Sequence, residues 1–544
     1  MKRSRAALLL FTILAVVGGV TGVASARVLL VGSYRGVHGQ YATVNAALSA
    51  AHAGDWILIG PGDYKDAAVH VPAGAKTDDR AGAQILITKN GIHIRGMDRN
   101  TVIVDGTAPG SPACNRSTSG QVFGPSGKAT GRSGILIYKA RNVSVENLTL
   151  CNFLTGSKGG GNQIWWDGGA GTGTQTDMGT WYGSWLSATS SYFAGQDKPA
   201  GSYGIYSSNT KTGSGWFTHD YASNMNDSGY YVGACPSCNV TLDHVHAQDS
   251  VLGYSGTDSG GNITIKNSEF DRNQDGFDTN SQNNNDAPPP QNGACPNGAQ
   301  NPDPPPNTQQ THTCWVVTNN SFHDNNNANV PSSGSASNGP PGTGMSISGG
   351  RNNIVTNNRF TNNGAWGILV VPYPDLGPPP PVAHCQGGVL NGLFGPDTCY
   401  FEAFGNEIAN NTFTHNGFFG NPSNGDIGEI SGQNDPGNCY HGNTNTGGTL
   451  TSDPADIQAT HGQCGVPNSG NDLGSTLTAQ VLCATQLLST CATTPTTNYP
   501  RFTGAPMPKL PRQATMPAPC AGVPANAFCA AHGPARKVVP KFVG

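Results

Sequence analysis

The chain has 544 residues, with 29 Lys and Arg against 33 Asp and Glu, a formal charge of −4 and only 11% charged residues. That balance argues against nucleic acid or an anionic membrane as partner, because neither polyanion is attracted to a neutral, faintly acidic surface. The 75 glycines and the many Asn, Ser and Thr residues make an amide- and hydroxyl-rich surface, better suited to sugars.

Residues 1–26 read as a targeting segment. Lys2, Arg3 and Arg5 form a basic start, Ala6 to Val20 an apolar core, and Ala24 to Ala26 a small-residue cleavage site. The apolar stretch also nearly suffices to span a bilayer, so a retained anchor is the alternative. Either way the expectation is export, to the extracellular space or the cell surface, with no later membrane span. Removing the segment takes away three basic residues and no acidic one, which moves the charge from −4 to −7. All 14 cysteines lie beyond it, an even number that predicts disulfides. Local pairs are Cys114–Cys151, Cys295–Cys314, Cys385–Cys399, Cys439–Cys464, Cys483–Cys491 and Cys520–Cys529, with Cys235 and Cys238 a tight structural disulfide rather than a redox or zinc pair.

In residues 41–66, Val44, Ala47, Leu48 and Ala51 give a short helix one apolar face, followed by the strand "WILI". From there a repeat takes over. One signature is a glycine opening a short strand, at Gly134, Gly204, Gly229, Gly253, Gly276, Gly344 and Gly367; the consecutive steps from Gly204 to Gly276 are 25, 24 and 23 residues. The other is a strand closing on an amide, as in "NVTLDHVHA" (239–247) and "NITIKNSEF" (262–270). A fixed period of this size, with apolar residues alternating and turn formers every few positions, predicts a β-solenoid. Aligned copies place Asn147, Asn267, Asn319, Asn357 and Asn410 in one column, with His244 as the exception, which predicts an asparagine ladder between coils about 4.8 Å apart.

These motifs resemble the right-handed parallel β-helix proteins of the pectin-lyase-like superfamily, over about residues 40–430. The resemblance implies an all-β, right-handed parallel β-helix at 27–440, closed by the N-terminal helix. Residues 155–202, 282–312 and 371–404 interrupt it, and 441–544 form a Cys- and Pro-rich C-terminal cap or tail. A polysaccharide is the expected partner class, and the protein is expected to be an exported monomer. The resemblance does not fix an activity, since the fold carries lyases, hydrolases, epimerases, adhesins and non-enzymatic proteins.

The insertion at 155–202 holds Trp165, Trp166, Trp181 and Trp185, and with Trp216 five of the eight tryptophans fall within 52 residues. Flat rings stack on pyranose faces, so these four are candidate substrate-binding residues; a satellite core on the β-helix flank is the other reading.

The carboxylates of "NITIKNSEFDRNQDGFDTN" (262–280) divide on alignment. Stacking 239–250 on 262–273 pairs Asp243 with Lys266, His246 with Glu269 and Asp249 with Arg272, and puts His323 near Asp271. Asp275 and Asp278 remain. Tyr230, Tyr254 and Phe277 align as inward positions, while Tyr231, Ser255 and Asp278 align as outward ones with Asn280 beyond. That outward strip is the candidate groove, with Tyr231, Ser255 and Asn280 as substrate-binding residues.

Two chemistries fit. A glycoside hydrolase needs an acid and a nucleophile or base, supplied by Asp278 with Asp258 or Asp275. A lyase needs a base and a cation, with Arg272 or Lys266 as the base and Asp271 and Asp275 as Ca2+ ligands. The adjacent double aspartate and the His-Gly segment of the superfamily's polygalacturonases are not found in this stretch, and the pectate-lyase calcium and arginine pattern does not map onto it. A non-catalytic glycan-binding surface is the alternative. A further one is a metal site: His244 and His246 lie two apart on a strand and so share a face, as a copper or zinc pair would, with periplasmic copper delivery as the role.

Overall fold

The computed structural model describes residues 26–530 apart from 281–312, 375–387, 485–497 and several shorter stretches. The targeting segment, Asp258 and the insertion at 282–312 lie outside the described residues, as do Cys295, Cys385 and Cys491.

Each coil contributes one strand to each of three parallel sheets, of 12, 11 and 11 strands. In one coil these are Val240–Asp243, His246–Gln248 and Leu252–Thr257, and in the next Gly261–Lys266, Glu269–Asp271 and Asp275–Asn280. We call them the first, second and third sheets. Their register pairs Asp243 with Lys266, His246 with Glu269 and Ser255 with Asp278, the alignment read from the repeat. The fold is a right-handed parallel β-helix.

Like side chains stack inside. Phe270, Phe322, Phe360 and Phe413 form a ladder with ring centroids 5.1, 5.0 and 5.2 Å apart and nearly parallel planes. Each such pair contributes about 0.5–1.5 kcal/mol beyond area burial. Helix Val44–Ala50 is capped by Thr43, whose hydroxyl accepts from the Ala46 N–H, and its buried Val44, Ala47 and Leu48 join the main core.

The asparagine ladder is present but displaced by one residue. Asn147, Asn267, Asn319, Asn357 and Asn410, with His244, are left-handed turn residues at φ 53–59° between the first and second sheets. Asn is among the few residues that adopt this conformation cheaply, and the turn sends its side chain outward. The following residue faces in and makes the ladder. The Asn320 N–H donates to Asn358 Oδ1 at 3.0 Å, Asn358 to Asn411 at 2.9 Å and Asn411 to Asn443 at 3.0 Å. Two more ladders follow the other corners, Asn273–Asn325–Asn363–Asn416 and Asn353–Asn406–Asn438.

The disulfides Cys114–Cys151, Cys235–Cys238, Cys439–Cys464 and Cys520–Cys529 are formed. Beyond residue 440 the chain caps the far end only briefly, where buried Ile457 enters the core and Gln458 ends an asparagine ladder. Helix Thr476–Ala484 then lays Leu477 and Val481 on Trp366 and Leu369 of the third sheet. Residues 498–530 run back along the solenoid. Asn498 bonds Asn421, Ala505 bonds Asn329, Gln513 bonds Asn100, and buried Phe528 packs on Leu30, Leu58 and Met97 near the other end. This segment is a strap along the molecule as well as a cap.

Candidate functional site

Alternation along the third sheet decides which of its side chains face out. Tyr230, Tyr254 and Phe277 point into the main core, as the alignment predicts. The next position faces out and runs in register from coil to coil: Leu136, Trp165, Tyr206, Tyr231, Ser255, Asp278, Ser346 and Leu369. The column therefore passes from an aromatic stretch through Ser255 to a carboxyl stretch, and Leu369 at its end is covered by helix Thr476–Ala484.

In the aromatic stretch, Trp165 and Tyr206 stack at 4.9 Å with planes 4° apart, and Tyr203 and Tyr231 close on Tyr206 at 4.6 and 4.7 Å. Trp165 Nε1 donates to Ser208 Oγ at 2.9 Å. Trp165 and Tyr231 are buried, whereas Tyr203 and Tyr206 are half-buried and form the open edge.

In the carboxyl stretch, Asp278 Oδ1 accepts from the hydroxyls of Ser346 at 2.8 Å and Ser348 at 2.7 Å, and Oδ2 accepts from Asn280 Nδ2 at 2.7 Å. Ser346 Oγ also lies 2.7 Å from Asp275 Oδ2, so the two carboxyl oxygens on this one hydroxyl are at most 5.5 Å apart. Asp275 Oδ1 accepts the Phe277 N–H at 3.1 Å. A third carboxyl, Asp227, is half-buried, hydrogen-bonds Tyr203 and Ser228, and lies close enough to feel the charge of Asp278. Among the described residues no cationic side chain pairs with any of the three.

Desolvation dominates the electrostatics. It raises all three carboxyls, and the Asp278 charge raises Asp275 and Asp227 further. Asp275 stands well above the ordinary range, and Asp227 is pushed up to about 7. Three hydrogen-bond donors partly offset burial at Asp278, whose carboxyl is still raised above the ordinary value. The site thus holds three carboxyls in unequal surroundings: Asp278 with three donors on its oxygens, Asp275 sealed from solvent and Asp227 half-buried, the kind of difference in environment that sets acid and base roles apart.

Of the residues selected from sequence, Asp275, Asp278, Asn280, Ser255, Tyr231 and Trp165 come together on this face. It is less open than the expected groove: Tyr231, Ser255, Asp278 and Asn280 are 7%, 2%, 8% and 6% exposed, and Asp275 is fully buried. Trp166 and Trp181 are corrected to core residues, fully buried because their strand positions face inward. Trp185 is a left-handed turn residue stacked on His219 at 4.4 Å, away from the third sheet. Arg272 sits in the turn between the second and third sheets, paired with Asp271 at 2.6 Å and Asp249 at 3.3 Å, so its guanidinium is turned to the second sheet.

Asp271 bonds His246 and Arg272 while Asp275 bonds Ser346, so these two share no common partner and form no calcium cage. The oxygens of Asp275 and Asp278 already accept from hydroxyl, amide and N–H donors, an arrangement suited to hydrogen bonds rather than to Ca2+. His244 and His246 do not share a face: His244 occupies the left-handed turn, and His246 opens the next strand.

Asp227, Tyr203, Tyr206, Ser346 and Ser348 were missed from sequence. Asp227 precedes the strand whose register partner is Leu252, so its counterparts on the following coils, Val251 and Gln274, gave the column no acidic signature. Ser346 and Ser348 lie beyond an insertion that hides the step from Gly276 to Gly344.

No protein-family model and no curated protein matches the chain. Solved structures overlap it at low identity. The A-module of a mannuronan C-5 epimerase from Azotobacter vinelandii is 11% identical, covering 74% of this chain and 90% of its own, with a TM-score of 0.40. An alginate lyase from Paenibacillus sp. is 9% identical, covering 78% and 97%, with a TM-score of 0.35. Pectate lyase Pel9A is 13% identical, covering 64% and 77%, with a TM-score of 0.33. The fold stated above rests on the sheet register and not on these overlaps.

Proposed function

We propose that this is an exported, monomeric protein that binds a polysaccharide on the outer face of the third sheet and cleaves it by carboxyl acid–base chemistry. The observation that carries the reading is the continuous outward column in which Trp165, Tyr206 and Tyr231 lead to Ser255 and Asp278. Half-buried Tyr203 and Tyr206 offer faces for a sugar ring at the open edge. Asp227, pushed up to about 7, supplies a proton to the glycosidic oxygen, and Asp278, whose oxygens are held by Ser346, Ser348 and Asn280, acts as nucleophile or base. Asp275 is too deeply buried to meet a substrate and acts as a positioning residue through Ser346. With no cationic partner among the described residues, the site favours hydrolysis over β-elimination, which needs the uronate charge neutralised.

The test is an assay on neutral and uronate-containing glycans that follows reducing ends and unsaturated products separately. New reducing ends without absorbance of unsaturated sugars support hydrolysis. Silence across the panel with glycan retention intact overturns the cleavage reading and leaves a non-catalytic binding surface.

A further inference from the structure

The outer face of the second sheet carries a cluster that the site on the third sheet does not use. Adjacent strands set His246 beside Glu269, and Asp271 beside His323. The contacts run diagonally: His246 Nε2 lies 2.5 Å from Asp271 Oδ1, and His323 Nε2 lies 2.9 Å from Glu269 Oε1. One donor atom from each of His246, Glu269 and Asp271 falls within 4.8 Å of the other two. Arg272 Nη1 holds the other oxygen of Asp271 at 2.6 Å, which fixes the carboxylate with Oδ1 turned toward His246. The edge-on ring of Tyr221, 5.4 Å from the His246 ring, steadies the imidazole from the preceding coil.

We propose that His246, Glu269 and Asp271 bind a divalent transition-metal ion of the Zn2+ type. An imidazole nitrogen with two carboxylate oxygens is a borderline donor set that favours Zn2+, Co2+ or Mn2+ over Ca2+. Outward side chains on paired parallel strands are held about 4.8 Å apart by the backbone. Bonds of about 2.0–2.2 Å to a central ion therefore need only a small opening of the His246–Asp271 contact and an inward swing of the Glu269 side chain, which is half exposed. Arg272 and His323 are then the outer partners that orient the two carboxylates, as hydrogen-bonded neighbours do around metal ligands. The ion would tie neighbouring coils together at a point independent of the glycan face.

The experiment is a calorimetric titration of the chelator-treated full-length protein with Zn2+, repeated with Co2+ for its visible spectrum. The expected result is one saturable ion per chain, a raised thermal midpoint, and at least a 10-fold loss of affinity in both His246→Ala and Asp271→Asn. His244→Ala, one turn away, keeps the affinity of the native protein. If His246→Ala does not fold, the exposed Glu269→Gln substitution carries the same expectation. Absence of saturable uptake by the folded protein overturns the proposal, and so does uptake that survives both Glu269→Gln and Asp271→Asn.

Discussion

Asp275 and Asp278 are joined through a single hydroxyl: Ser346 Oγ lies 2.7 Å from Asp275 Oδ2 and 2.8 Å from Asp278 Oδ1. A serine has one proton to donate. If it goes to the Asp278 carboxylate, the contact with Asp275 requires a proton on Asp275 itself, in agreement with the strong upward shift of that buried group. The chain Asp275–Ser346–Asp278 thus delivers a donor to the carboxylate and holds it in place.

Replacing Asp278 with Asn removes the charge and keeps the shape. Cleavage should fall by about 100-fold to 10,000-fold, the range for loss of an acid–base group, while circular dichroism and thermal midpoint stay close to native. Unchanged turnover in a folded Asp278→Asn protein would remove Asp278 from the mechanism.

Asp227 makes a pH prediction. A general acid at about 7 is protonated below that value, so kcat/KM should fall as pH rises through about 7. In Asp227→Asn the residual rate should lose that limb. The sign for stability is the same. The folded value lies above the ordinary value of 3.8, so the contribution is complete below about 4 and is lost as pH rises through about 7. Thermal melts of the native and Asp227→Asn proteins across that window measure it.

Ser346→Ala takes a donor from Asp278 and an acceptor from Asp275. It should cost about 1–3 kcal/mol of stability and raise the acidic limb of the pH–rate profile, because Asp278 then ionises less readily. Urea melts and the pH profile are independent readouts, and a stability loss with an unmoved limb assigns Ser346 to folding alone.

The displaced ladder separates two neighbouring asparagines. Asn358 is buried and bonds Asn411, whereas Asn357 is exposed at φ 59°. Asn358→Ala leaves ladder groups unsatisfied and should cost about 2–4 kcal/mol, while Asn357→Gly, at a position where glycine is unstrained, should change stability by less than about 1 kcal/mol. Equal losses at the two positions would contradict the assignment.

Phe528 tests the strap. It is 2% exposed against Leu30, Leu58 and Met97, so Phe528→Ala should cost about 3–5 kcal/mol, measured by chemical denaturation, although it lies about 500 residues from the strands it touches.

The solenoid was legible in the sequence because a parallel β-helix repeats one local environment, and each coil writes the same residue types at the same spacing. The columns Tyr230–Tyr254–Phe277 and Tyr231–Ser255–Asp278 follow from period-two alternation alone and are found in register. The ion pairs Asp243–Lys266 and Asp249–Arg272 also form, at 3.6 and 3.3 Å. His246 and Glu269 are register neighbours but pair along diagonals instead, His246 with Asp271 and His323 with Glu269. Alignment gives the strand neighbour, whereas rotamers choose the partner.

Where the period is interrupted, the sequence no longer specifies direction. Trp165 and Trp166 are adjacent and chemically alike, yet one faces out against Tyr206 and the other is fully buried in the core. The gap before Ser346 hides its place above Asp278, and nothing local to residues 498–530 reveals that they return along the whole solenoid. The sequence by itself determined the coil, its inward and outward columns and the positions of Asp275 and Asp278, because those depend on contacts between repeats of known spacing. Only the tertiary structure brought in Asp227 and Ser346, turned Arg272 away and sealed Asp275, because those outcomes depend on long-range packing and on the desolvation that sets each proton.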